Sequence, residues 1–456
     1  DFKSSWFENY RWKELNQTGK KIIKNVINPN ANEKFAIGFV LVQDKKFIEY
    51  PLEDYLDSYA IALSVIKNSL NKHKLLSVSS STARQSQLDN PERISELALT
   101  LLGCELSKNI DEPIFKVYKN LSKKLKLSRI KPSNAVFGIR GKGYHGRHYF
   151  GEAIGYPTKN KKSRWESPSG LVYKFPWYPQ SSQESRKPKS RIGFTSTVPL
   201  DIFIDSVNIN YRKMRARNKQ IKEIMDKSEK IIVKSNIKEG CDFELGLIKS
   251  NGQRREVKGS DSDARYLENP LYKKQGKSFG MMANIPGGEA FTTPEYVKGK
   301  IVGDVVIHLE KSYRLYKEKP LVINAKGNEY DIISGPRKII EKLKTKKDEA
   351  WRRILEQEKN ESIPEELVEL KKKNFNNIGE FAINTNPDAK LCDYLIVNEK
   401  IANMIHIALG SGFEPDRATE YHVDVVIDSP RQKLDIYGLS KSNKKQWIVK
   451  QGKFVV

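Results

Sequence analysis

Cysteine is scarce in this chain of 456 residues. The three that occur, Cys104, Cys241 and Cys392, lie far apart, and none belongs to a Cys-x-x-Cys pair. A disulfide framework and a cysteine zinc cluster are thereby excluded, and a reducing compartment fits. No apolar run approaches the ~18 residues that a membrane span requires. The first thirty residues are polar and basic and lack the apolar core of a signal peptide, so a cytoplasmic protein with no membrane partner is expected. Several catalytic signatures are missing too. The absence of His-Glu-x-x-His excludes the helical zincin arrangement. Neither Gly-x-Ser-x-Gly nor a Gly-x-x-x-x-Gly-Lys-[Ser/Thr] phosphate loop is present.

Positive charge is plentiful. The 81 Lys and Arg outnumber the 56 Asp and Glu, giving a formal net charge of +25. Such a balance suits an acidic partner such as nucleic acid. The basic residues are spread along the chain, however, and a binding footprint should cluster. Lys, Asn and Ile are frequent throughout, as AT-rich coding would give, so a nucleic-acid partner is the lesser reading. Hydrophobic content of 38% suffices for packed cores, and the length suggests two domains.

Residues 1–30 read as a basic helical lead-in with Trp6 and Trp12. A buried strand is expected at 36–43, and helices at 52–72 and 92–106. The stretch 160–192, rich in Ser, Pro, Lys and Trp, reads as a loop. A helix at roughly 204–229 is followed by strands at 230–235, 242–249 and 300–310. Charged helices fill 336–360 and the PEELVELKKK segment. A strand at 379–384, a helix at 398–409 and a strand at 421–427 complete the pattern. The expected class is α/β (or α+β) in two domains. An N-terminal mixed domain, 1–230, carries a loop-rich insertion around 131–200. A C-terminal domain with a mixed sheet, 231–456, carries the chemistry.

That chemistry rests on carboxylates and on a few of the six histidines. In the strand-like YHVDVVI, His422 and Asp424 share a face, because side chains alternate along a strand. An imidazole beside a carboxylate can bind a divalent ion, although on its own so short a pattern reads more readily as an edge-strand pair facing water. His406 lies in NEKIANMIHIALG, where Asn398 could cap a helix and Gly410 end it. On that helix Glu399 stands two turns before His406 on the same face, and His406 alone would read as an ordinary core histidine. Glu380 sits among apolar neighbours in GEFAI, which is costly unless it is paired or metal-bound. Glu289 follows a Pro-Gly-Gly turn in IPGGEAFTTP. Separately, Gly141–Gly146 matches Gly-x-Gly-x-x-Gly after a strand-like NAVFGIR, but the sequence beyond it does not open a dinucleotide-binding helix. That loop, dense in Lys, Arg, His and Tyr, could hold an anion.

Taken together, NIPGGEAFTTP, GEFAINTNP, NEKIANMIHIALG and YHVDVVIDSP occur in the order seen in the thermophilic aminopeptidase family, which includes aminopeptidases T and S. KIIVKSNIKEGCDFELGL resembles the strand pair that precedes that family's first metal carboxylate. The resemblance covers about residues 204–456. It implies a two-metal exopeptidase acting on peptides, usually a homodimer. Its metal ligands would fall on Glu289, Glu380, His406, His422 and Asp424, with Glu399 matching a further ligand at a looser spacing. Hard carboxylates with borderline imidazoles suit two ions of Zn, Co or Mn. Two such ions would activate a water for attack on the first peptide carbonyl, and Glu380 would carry the proton to the leaving amine. One position departs from the family. Seven residues after the histidine of the HIALG motif, where the family has a tyrosine able to stabilise the oxyanion, this chain has Phe413. Tyr421 is the expected substitute donor. The alternative is a weakened member of the family that binds peptide or nucleic acid without efficient turnover, motivated by Phe413 and the net charge.

Overall fold

The computed structural model describes residues 10–28, 34–42, 53–69, 74–82, 135–140, 191–196, 198–263, 282–361 and 365–456. The helix expected at 92–106, the loop at 160–190, the glycine-rich loop at 141–146 and Trp6 lie outside them. The fold is mixed α/β, and the chain divides into two compact units. The first takes the described residues up to Ile209 together with those of Ser262–Pro286. The second takes Asn210–Asp261 and Gly287–Val456. By packing, the division falls after Ile209 rather than near residue 230, and beyond it the described residues return to the first unit at Ser262–Pro286. No helix among the described residues is long and apolar enough to cross a membrane.

In the first unit five parallel strands form one sheet, in the order Lys74–Thr82, Lys34–Val42, Ala135–Arg140, Arg191–Ser196, Met282–Asn284. Helices Trp12–Lys21 and Glu53–Ser69 pack closely: a β-carbon on Gly19 would lie 2.2 Å from the Ser64 carbonyl oxygen. The helix expected over 204–229 is two, Leu200–Val207 and Tyr211–Lys227. The break comes at Asn210, whose side chain caps the second helix by accepting from the Lys213 N–H.

The second unit is built on two antiparallel sheets. The larger has eight strands, ordered Tyr330–Ser334, Leu321–Gly327, Tyr296–Gly303, Asp242–Gly246, Lys230–Ser235, Leu434–Leu439, Lys445–Lys450 and Lys453–Phe454. The smaller has seven: Ser312–Arg314, Val306–His308, His422–Asp428, Met404–Gly410, Ile378–Asn384, Glu289–Thr292 and Val257–Ser260. The single strand expected at 300–310 is therefore two, one in each sheet. The helix expected at 398–409 is absent. Helix Leu395–Asn398 ends just as that stretch begins, Asn403 takes a left-handed turn at φ +60°, and Met404–Gly410 is a central strand. The alternation of Ile405, Ile407 and Leu409 with His406 and Ala408 decides this, because strands on both sides satisfy its backbone.

One apolar core joins both sheets. Phe381, Ile383, Ile405, Ile407, Leu409, Val423, Val425 and Ile427 pack into it from the smaller sheet, and Phe243 of the larger meets Phe381 edge-on at 6.3 Å. Helix Glu365–Lys373 is tied to the segment before His422 by a buried ion pair between Lys371 and Glu420, and helix Arg337–Lys359 by Gln357, which donates to Glu420 Oε1 at 3.1 Å. With one face of the smaller sheet committed to the core, the period of two sends every second residue to the opposite face.

Candidate metal centre

That opposite face carries the chemistry. His422 and Asp424 come from one strand, and His406 and Ala408 from its neighbour, where Ala408 lies opposite Asp424. Glu380 sits opposite Ala408, and Ala382 opposite His406, on the third strand. Glu289, opposite Asn384, completes the row. Small residues between the acids and imidazoles keep the ligand atoms from being crowded apart. The turn that expectation placed before Glu289 is there, with Gly288 at φ +133°.

Donor atoms gather in three overlapping groups: Glu289, Glu380 and His406; Glu380, His422 and Asp424; Glu399, His406 and Asp424. Within each group the ligand atoms lie within 4.8 Å of one another. Glu380 stands between the two imidazoles. Its Oε1 is 3.5 Å from His406 Nε2 and its Oε2 is 3.4 Å from His422 Nε2. Asp424 Oδ1 lies 3.3 Å from His422 Nε2 and 4.0 Å from His406 Nε2. Glu289 Oε2 is 3.7 Å from His406 Nε2. All six residues named from the sequence as ligands are thus brought together, although Glu399 and His406 no longer share a helix.

Both rings are oriented from behind. His422 donates from Nδ1 to the Ser411 carbonyl oxygen at 2.8 Å, and His406 Nδ1 lies 2.8 Å from Asn384 Oδ1. With Nδ1 engaged, each Nε2 faces the carboxylates, the arrangement typical of metal-binding histidines. Ser411 is itself placed by Gly379. A β-carbon on Gly379 would come within 2.3 Å of the Ser411 carbonyl. Gly379→Ala is therefore expected to displace Ser411, costing about 1–3 kcal/mol of stability and weakening divalent-metal affinity by about 10–100-fold. Urea melts and calorimetric metal titration check the two effects.

The donor set fits cations. Glu289 Oε2 and both carboxylate oxygens of Asp424 are buried without a well-formed hydrogen bond, a costly state that a metal ion would relieve. Burial opposes a charged imidazole at His406, yet Glu380, Glu289 and Asp424 outweigh it and push His406 up to about 9. His422 is raised well above its ordinary value against the same penalty by Asp424 and Glu380. Burial pushes Glu289 up to about 7 despite Lys400. Asp424 is held below the usual carboxylate range, as His422 and His406 overcome its burial. The cluster thus favours positive charge on both imidazoles.

Sequence reasoning missed Lys400. It is 1% exposed, it pairs with Glu289 Oε1, and it lies 2.8 Å from Glu399 Oε1. His308 was missed too. The register Val306↔Val426, Ile307↔Val425 carries it alongside Asp424, whose carboxylate feels its charge. Strand register places His308, whereas Lys400 sits in a turn and meets Glu289 only through the fold. Tyr421 is not the substitute donor. It is buried in the apolar core, its hydroxyl donates to the Phe375 carbonyl at 2.5 Å, and it lies 2.9 Å from the Tyr330 hydroxyl. Strand alternation turns it away from the face that His422 occupies.

No protein-family model matches the chain, and no curated protein matches it. Two solved structures are similar over nearly the whole chain. The 2,5-dihydroxypyridine dioxygenase of Pseudomonas putida is similar at a TM-score of 0.53 and 13% identity, over 98% of this chain and 98% of that one. Wild-type AmpT from Thermus thermophilus is similar at a TM-score of 0.48 and 14% identity, over 97% of this chain and 99% of that one. The likeness to the dioxygenase, at 13% identity, is one of fold alone.

Proposed function

We propose that this chain is a metal-dependent aminopeptidase that removes N-terminal residues from peptides using two divalent ions. The observation that carries this reading is Glu380, with one carboxylate oxygen toward each imidazole, Glu289 beside His406 and Asp424 beside His422. Four carboxylates around two imidazoles are more than one divalent ion needs, and Glu380 stands where it could serve an ion held by either imidazole. The choice of a peptide substrate rests on the motif resemblance, as does a homodimer. Zn, Co or Mn suits the mixed donors.

Glu289, Glu380, His406, His422 and Asp424 would hold the ions, which supply Lewis acidity and a water that is nucleophilic at neutral pH. Ser411 and Asn384 keep each Nε2 aimed inward. Glu380 would carry the proton from the water to the leaving amine, giving up part of its hold on the ions to do so. Lys400 fixes one oxygen of Glu289 and leaves the other free. The Phe413 side chain has no hydroxyl to offer the developing oxyanion.

The test compares free-amine and N-acetylated peptides, with and without chelator. Hydrolysis of the free-amine peptide alone, abolished by chelator and restored by Zn, Co or Mn, is expected. A metal-loaded protein that cleaves neither would contradict the reading. A second reading has its own observation: Asp424 Oδ1 lies 3.3 Å from His422 Nε2 and 4.0 Å from His406 Nε2, two imidazoles and a carboxylate being the donor type of non-haem iron oxygenases, and a dioxygenase shares the fold. Fold alone does not choose between them. A single iron per chain without peptidase activity would favour the oxygenase.

A further inference from the structure

Two apolar rings interrupt the polar face of the smaller sheet. Phe291 is two residues beyond Glu289 on the same strand, so both point to the same side. Its ring centroid is 5.0 Å from that of Phe413, and the Phe413 ring stands edge-on to His422 at 5.7 Å. Both phenylalanines are partly exposed, unlike the aromatic side chains on the core face. The two rings are therefore in contact, one beside His422 and the other on the strand that carries Glu289.

The backbone that carries Phe413 is held by polar contacts. The Phe413 N–H donates to Thr293 Oγ1 at 2.9 Å. The next residue, Glu414, is tied to Arg255 at 3.0 Å, and its other oxygen accepts from the Glu256 N–H at 2.9 Å. Arg255 is 2% exposed and also binds Glu295 and Asp416. A buried charge network thus pins a short loop whose partly exposed phenyl ring lies against a candidate metal ligand.

We propose that Phe291 and Phe413 form the subsite for the substrate's first side chain, and that this side chain is apolar or aromatic. This deepens the aminopeptidase reading and rests on it. An apolar side chain gains by leaving water against the two rings. A charged one would lose its hydration there without a partner.

The test uses the metal-loaded full chain with leucyl, phenylalanyl, lysyl and aspartyl p-nitroanilides, and calorimetric titration with free L-phenylalanine and L-lysine. Wild type should favour leucyl and phenylalanyl substrates by about tenfold or more in kcat/KM. Phe291→Ala and Phe413→Ala should remove most of that preference by slowing the apolar substrates while keeping full metal content. Phe413→Tyr keeps the ring and should keep the preference. Phe291→Leu serves if the alanine variant fails to fold, and should weaken phenylalanyl more than leucyl hydrolysis. Equal slowing of all four substrates, or a wild-type preference for charged residues, would overturn the proposal. Absence of all hydrolysis would count against the aminopeptidase reading instead. Calorimetry then decides the subsite: L-phenylalanine binding that is weakened in Phe291→Ala supports it, and unchanged binding refutes it.

Discussion

Glu380→Gln is expected to strip both halves of the cluster at once. The substitution keeps the shape of the side chain and removes the charge between two imidazoles that each lie within 3.5 Å of it. Groups that merely orient ligands change metal affinity by about 10–100-fold. A carboxylate shared by two ions should exceed that, so a loss beyond about 10²-fold is expected, with peptidase turnover falling by about 10³-fold or more. Circular dichroism of the metal-free variant should match wild type, because the apolar core lies on the other face. The same variant separates the two functional readings. Glu380 lies outside the set of two histidines and Asp424, so an oxygenase-type site would keep its single ion after this change. Full metal retention in Glu380→Gln would contradict the two-ion reading.

Lys400→Met is expected to destabilise the metal-free protein severely. Lys400 is 1% exposed and holds Glu289 and Glu399 together. Truncating one member of a buried ion pair leaves the other charge uncompensated, at about 3–5 kcal/mol. Here two carboxylates lose their common cation beside further acids, so the upper part of that range is expected. Divalent metal should recover part of the loss by mass action, because an ion that binds only the folded state stabilises it. Denaturant melts with Mn and with chelator measure both effects. Wild-type stability in chelator, or no recovery on adding metal, would mean that Lys400 is not the counter-charge of this site.

The strands that carry His422, Asp424 and Glu380 were legible because each alternates over several residues with one side apolar. His406 was placed on the wrong element for a physical reason. Ile401, Ile405 and Ala408 fit a helical stripe as well as Ile405, Ile407 and Leu409 fit a strand, and only the two neighbouring strands decide between them. Lys400 has no local signature, since its partner Glu289 is 111 residues away. Tyr421 read as a free hydroxyl near the site because its partner Tyr330, 91 residues away, could not be seen. What was hidden was in each case a contact between distant segments. What was visible was a period.

The central claim is that five side chains from four strands hold a pair of cations. Elemental analysis of purified protein, equilibrated with Zn, Co or Mn and then freed of loose metal, tests it most directly. About two ions per chain are expected in wild type, with clear loss in both Glu289→Ala and His422→Ala. A folded wild-type protein that retains no ion, or the same metal content in all three proteins, would contradict it.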